Sequence, residues 1–244
     1  VTIRRRRAAL SLLTVLSVSV AVAACSVNGT SQPDVSVRLP PAADFPTGVS
    51  ATPVTGAGLA AVIADVVGDA PGGSVEPSTC APAALSSNPA DSAGLVAQLP
   101  AASDLPGTLT VLATRVATPL SAVESQVARC KSFVRTNVAG ARSTVRQVLT
   151  PAPTSPVSDV STLGIAATQT TGGSGPGGTG DNAFGVASKS YLAQREGVRV
   201  YVVYRGLATS AAAGADPQLV ADQQTADLDA LFGKAVTSAF GRGR

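Results

Sequence analysis

Ser188-Lys189-Ser190-Tyr191-Leu192-Ala193-Gln194-Arg195-Glu196-Gly197-Val198-Arg199-Val200-Tyr201-Val202-Val203-Tyr204-Arg205 is the stretch that decides the fold class. Two runs, 188–195 and 198–205, flank Glu196-Gly197, a two-residue connection with glycine where a hairpin turn needs positive φ. The second run is β-branched and aromatic, and alternation puts Val198, Val200, Val202 and Tyr204 on one face. So tight a connection enforces antiparallel pairing, because parallel neighbours need a long crossover.

Working outward, 107–116 reads as a strand by its β-branched content, and further strands fall at about 143–149 and 159–170. Short helices are predicted at 58–67 and 91–99. A better marked helix follows Thr118-Pro119, an N-cap and a first-turn proline, with Ser121 and Glu124 as an alternative capping box. Its apolar positions Val123, Val127, Cys130 and Val134 recur at helical spacing, which turns Cys130 toward the core. Asp216-Pro217 caps a final helix with Leu228, Leu231, Phe232, Ala235, Val236 and Ala239 inward, and Gly241 stops it. The predicted fold is α+β: an antiparallel sheet of four to five strands with helices packed on one face, and one disulfide.

The N-terminus sets the compartment. Arg4-Arg5-Arg6-Arg7 precede an apolar run, Ala8 to Ala24, of 17 residues, short for a membrane-spanning helix and of signal-peptide length. It ends in Val22-Ala23-Ala24-Cys25, a lipobox pattern in which small residues precede a cysteine that is lipidated on cleavage. The alternative is an ordinary secretory signal with an accidental cysteine. Val1 in place of methionine reads as a translated GTG start with the signal still attached. The expected organisation is therefore a signal peptide at 1–24, the lipidated Cys25 and a polar tether at 25–40, and a single extracytoplasmic domain at 41–244. The partner this implies is the membrane, reached through the lipid anchor, with an envelope protein or lipid ligand of unspecified identity beyond it.

Charge follows from that division. The chain holds 18 basic and 15 acidic residues, but four of the basic ones are Arg4–Arg7. Without residues 1–24 the balance is 14 to 15, so the basic character points to no nucleic acid partner. A local excess remains in Arg115, Arg129, Lys131, Arg135, Arg142 and Arg146 against Glu124 alone. It reads as a solvated helix face, with a weak anion patch as the alternative.

Besides Cys25 there are two cysteines, Cys80 and Cys130. In an oxidising compartment an even pair reads as a disulfide, closing a loop of about 50 residues and contributing about 4 kcal/mol in the chain-entropy model. Free buried thiols are the alternative. No metal site is expected, since two sulfurs alone do not complete a tetrahedral shell and the chain has no histidine.

The absence of histidine also removes the commonest general base and any Ser-His-Asp triad. None of Lys131, Lys189 and Lys234 stands three residues after a serine, so Ser-x-x-Lys is missing too. Lys189 is read as a strand-edge residue, and Asp222, Asp227 and Asp229 as solvated helix surface. Gly173-Ser174-Gly175-Pro176-Gly177-Gly178 matches G-x-G-x-x-G in form only, since a dinucleotide loop must open a helix and this one runs into a strand. Tyr191, Tyr201 and Tyr204 cluster on the hairpin and are read as sheet packing, with a pocket or interface as the alternative. No catalytic residue and no cofactor is assigned.

Asp44-Phe45-Pro46 with Gly48, Pro77 with Cys80, Cys130, the glycine-rich break, the hairpin ending Tyr204-Arg205-Gly206 and the closing helix together carry a resemblance. Over most of 39–241 the chain resembles a family of actinobacterial secreted proteins and lipoproteins of unknown function. It is more distantly similar to the extracellular sensor domains of mycobacterial serine/threonine kinases, which are α+β and usually carry two disulfides where this chain allows one. The expected function is a non-catalytic ligand-sensing or protein-interaction domain on the outer face of the membrane. The alternative is a carrier that shields a lipid or acyl chain in an apolar cavity.

Overall fold

The computed structural model describes residues 34–68, 72–100, 106–171, 184–208, 216–222 and 226–241. The segment 1–24 expected to be a signal peptide, Cys25 and the glycine-rich break at 172–183 lie outside the described residues. The packed unit runs from Pro33 to Arg244.

Among the described residues, nine strands form one sheet, every neighbouring pair antiparallel. They are β1 (Ala51–Val54), β2 (Ser74–Glu76), β3 (Ser92–Leu99), β4 (Gly107–Arg115), β5 (Ser132–Thr136), β6 (Arg142–Thr150), β7 (Ser161–Thr171), β8 (Phe184–Arg195) and β9 (Val198–Ala208). The spatial order is β1-β3-β4-β9-β8-β7-β6-β5-β2. The hairpin that decided the fold class sits at the centre of the sheet. Glu196 (φ 51°) and Gly197 (φ 75°) both have positive φ, which makes a type I′ connection and suits the twist of the flanking strands.

The α+β class and antiparallel sheet stand, but four to five strands become nine. The added strands are short or poor in β-branched residues, so pattern alone hides them. Residues 91–99, expected to be helical, form β3: Ala, Leu and Gln favour a helix locally, yet the segment pairs with β4 from Ser92↔Thr114 to Leu99↔Gly107. That ladder overrides a weak propensity. Gly94 faces Val62 on the helix above, where an added Cβ would lie 3.9 Å from the Val62 side chain. Val134 lies in β5 and not in the preceding helix.

Among the described residues, four α-helices complete the layers: α1 (Ala57–Val67), α2 (Leu120–Arg129), α3 (Pro217–Asp222) and α4 (Ala226–Phe240). They cover both faces of the sheet, not one. The faces separate by parity: Leu109, Val111, Ala113, Val198, Val200, Val202 and Tyr204 pack under α4, while Leu112, Tyr201 and Val203 pack under α1 and α2. A strand buried on both sides shows a nearly continuous apolar run, as Val200–Tyr204 does. The α4 face has Leu228, Leu231, Phe232, Ala235, Val236 and Ala239 buried, as the periodicity required. Phe232 is fully buried and stacks edge-on against Tyr191 at 5.5 Å; truncating it to alanine is expected to cost about 3–5 kcal/mol.

Helix ends also depart from expectation. α2 begins with Pro119 at its N-cap and no side-chain cap hydrogen bond, and Cys130 is its C-cap, its N–H donating to the Gln126 carbonyl. Asp216 caps α3 by accepting from the Gln218 N–H at 2.9 Å, and Gly241 closes α4. Residues 35–38, placed in the tether by sequence, form a 3-10 turn belonging to the domain. Val35 is 1% exposed, and Arg38 donates to the Ala239 carbonyl at 2.6 Å.

Candidate functional site

On the α1/α2 side the two helices stand over different parts of the sheet and leave a cleft of about 150 Å³ between them. Antiparallel register builds its floor. Arg205, Ser188, Ala167 and Gln147 form one cross-strand row from β9 to β6; Tyr201 and Leu192 pair in another; Ser190 and Ile165 pair in the row between. The walls are Val66 and Val67 at the end of α1, and Val123 and Val127 on α2.

The disulfide closes one end. Cys80 and Cys130 are joined, with Cα atoms 5.6 Å apart, in a small buried cluster with Phe133 and Val145. Cys80 itself lines the cleft. The bond ties the turn after β2 to the end of α2, while Gln126 donates to the Ala81 carbonyl at 2.6 Å and Gln147 to the Cys130 carbonyl at 2.8 Å. The wall carried by α2 is thereby fixed to its neighbours at three points.

Among the described residues, the charged groups lining the cleft are three arginines, Arg135, Arg199 and Arg205, and one acid, Asp65. Arg199 is 1% exposed. Its Nε donates to Gln194 Oε1 at 2.9 Å, its Nη1 to the Tyr201 hydroxyl at 3.0 Å and its Nη2 to the Thr118 carbonyl at 2.7 Å. These acceptors are all neutral, so hydrogen bonds stabilise the buried charge. Burial raises the Tyr201 phenol above its ordinary pKa, and the Arg199 charge opposes that shift. Arg205, half-buried, donates from Nη1 to the Asp65 carboxylate, and burial lowers its own pKa. Arg135 reaches from β5 with Nη1 3.4 Å from Gln169 Oε1.

The residues singled out by sequence are dispersed. Of the three tyrosines, Tyr201 alone lines the cleft; Tyr191 packs on Phe232, and Tyr204 donates to the Pro106 carbonyl at 3.3 Å. The basic patch divides, with Arg115 beside Asp91, Arg142 beside Glu76, and Arg135 in the cleft. Lys189 is not at an edge. It lies on a central strand beneath α3, 6% exposed, donating to the Ala221 carbonyl at 2.8 Å. Asp222, Asp227 and Asp229 are exposed. Among the described residues no three Asp, Glu or Cys side chains gather closely enough to hold a metal ion, and no helix is long and apolar enough to cross a membrane.

Arg199, Arg205 and Asp65 were missed by the sequence reading. The signal was present: Arg199, Tyr201, Val203 and Arg205 are the other face of the central strand, and charged residues there need a cleft or hydrogen-bonded burial. No known protein family matches the chain, and neither does any curated protein.

Proposed function

We propose that this chain is a lipid-anchored extracytoplasmic domain that binds a small ligand in the cleft between α1 and α2, as a sensing module and not as a catalyst. The cleft is the observation that carries the reading: an apolar-walled recess on a rigid sheet, with a few convergent polar groups, is the usual form of a small-molecule site. Anchoring rests on the Arg4–Arg7 flank, the apolar run and the Val22-Ala23-Ala24-Cys25 pattern. Binding without catalysis rests on a chain with no histidine, whose cleft carboxylate, Asp65, is engaged by Arg205. The resemblance to actinobacterial envelope proteins and kinase sensor domains supports the same setting.

The volume favours sensing over carriage. About 150 Å³ accommodates a body the size of a benzene ring, whereas a drug-sized or lipid-sized ligand needs on the order of 300–1,000 Å³. Native mass spectrometry of the full chain from an actinobacterial host tests the reading. A bound species below lipid mass, lost when Ser190→Phe fills the floor of the cleft, is the expected result. A bound mass that persists in that variant places the ligand elsewhere and sinks the assignment. Membrane retention that survives Cys25→Ala would overturn the anchor.

A further inference from the structure

We infer that the ligand of this cleft is a small organic anion, a carboxylate or phosphate on a compact apolar body, and that its charged end displaces Asp65 from Arg205. The inference rests on the cleft being the ligand site and names what enters it.

Three observations converge. First, among the described residues the lining holds three arginines and one aspartate around walls that are otherwise mostly apolar or neutral. Second, Asp65 lines the cleft and is 43% exposed while its partner Arg205 is 26% exposed. The pair therefore stands at the mouth, where an entering anion meets it, and Arg199 lies buried at the far end of the same strand face. Third, two cations bracket the end of α1. Arg205 holds Asp65, and Arg135 Nη1 comes within 3.8 Å of the place a side chain would occupy on Gly68, the C-cap of that helix. The last-turn carbonyls carry partial negative charge, so cations gather there. A carboxylate or phosphate accepts from guanidinium more strongly than a main-chain carbonyl does, in the two-pronged geometry arginine offers. The anion would sit between Arg205 and Arg135, and its apolar body would lie against Ile165, Leu192 and Val127.

Calorimetric titration of the full chain with benzoate, phenyl phosphate and the uncharged isostere benzyl alcohol tests this. Both anions should bind at least about tenfold more tightly than the alcohol, a difference of about 1.4 kcal/mol. Arg205→Gln should remove that advantage, bringing the anions' affinity down toward the alcohol's in the same variant. Arg205→Lys should keep part of it. Asp65→Asn, which removes the competing carboxylate, should tighten anion binding several-fold, an effect that loss of structure would not produce. Equal affinities for benzoate and benzyl alcohol, insensitive to both substitutions, would overturn the anion inference and leave the cleft as a neutral-ligand site. Absence of binding by all three probes at millimolar concentration would count against the cleft as well.

Discussion

Arg199 donates from Nη1 to the hydroxyl of Tyr201, two residues along the same strand face, at 3.0 Å, and its guanidinium carbon lies 5.8 Å from the centre of that ring. One buried cation thus joins the hairpin (through Gln194), the floor of the cleft (through Tyr201) and the chain entering α2 (through Thr118). Removing it takes a donor from the buried Tyr201 hydroxyl and from Gln194 Oε1, while the Thr118 carbonyl keeps Gln194 Nε2 at 3.1 Å. Arg199→Ala should destabilise by about 1.5–3 kcal/mol, the range for losing hydrogen bonds to a charged group. Tyr201→Phe, which deletes one acceptor, should cost about 1 kcal/mol. Urea unfolding followed by far-UV circular dichroism measures both. A loss under about 1 kcal/mol for Arg199→Ala would show that water replaces the network and that the cleft floor is softer than its geometry implies.

The Cys80–Cys130 bond spans 50 residues, and the turn and helix end it joins form one border of the cleft. Chain-entropy reasoning gives a loss of about 4 kcal/mol for the Cys80→Ser/Cys130→Ser double variant. The loss should be local in part, with faster amide exchange in Leu120–Arg129 and Ser132–Thr136 than in the central hairpin. Hydrogen-exchange mass spectrometry distinguishes that pattern. Uniform loosening of all nine strands would mean the bond acts only on the unfolded chain.

The turn at Glu196-Gly197 shows what local sequence can carry. Both residues have positive φ, a conformation easy for glycine and uncommon for glutamate. Glu196→Asn should therefore stabilise by about 0.5–1 kcal/mol, and Gly197→Val should destabilise by more than 1 kcal/mol. Thermal denaturation of the two variants should show Tm shifts of opposite sign. A drop in Tm for Glu196→Asn would point to an unrecognised contact of the glutamate side chain.

That turn, the β-branched run of β9 and the apolar stripe of α4 were legible because each is a dense local signal with one compatible structure. β3 was not, since Ser92-Ala93-Gly94-Leu95-Val96-Ala97-Gln98-Leu99 has helix-forming residues and becomes a strand only when β4 pairs with it. The two-sided burial of the sheet could be read in part from Val200–Tyr204, but α1 and α2 are too short to announce which face they cover. The cleft was least legible. Arg135, Arg199, Arg205 and Asp65 come from two strands and a helix, and their meeting depends on the order β9-β8-β7-β6-β5, which no single stretch encodes. The disulfide was readable because, apart from Cys25, two cysteines permit one pairing.

Lys189 sets the pH dependence of stability. Its ammonium is buried beneath α3, donates to the Ala221 carbonyl and lies 5.8 Å from the centre of the Tyr191 ring. Burial lowers its pKa, and the charges of Asp229 and Asp222 offset that in part. In the unfolded chain the same lysine titrates near about 10.4. Between the lowered folded value and that figure the unfolded chain binds more protons, so stability rises with pH through the window. Tyr201 and Tyr204 act in the opposite sense. Burial raises both phenols, so their contribution is complete below about 10 and is lost as pH climbs through the raised folded values. The free energy of unfolding should therefore climb as pH rises through the window between the lowered folded value of Lys189 and about 10.4, and then turn over. Lys189→Met should abolish the climb and keep the fall. If the variant climbs as the parent does, another group supplies the protons, and Lys189 is held in the folded state with its ordinary affinity.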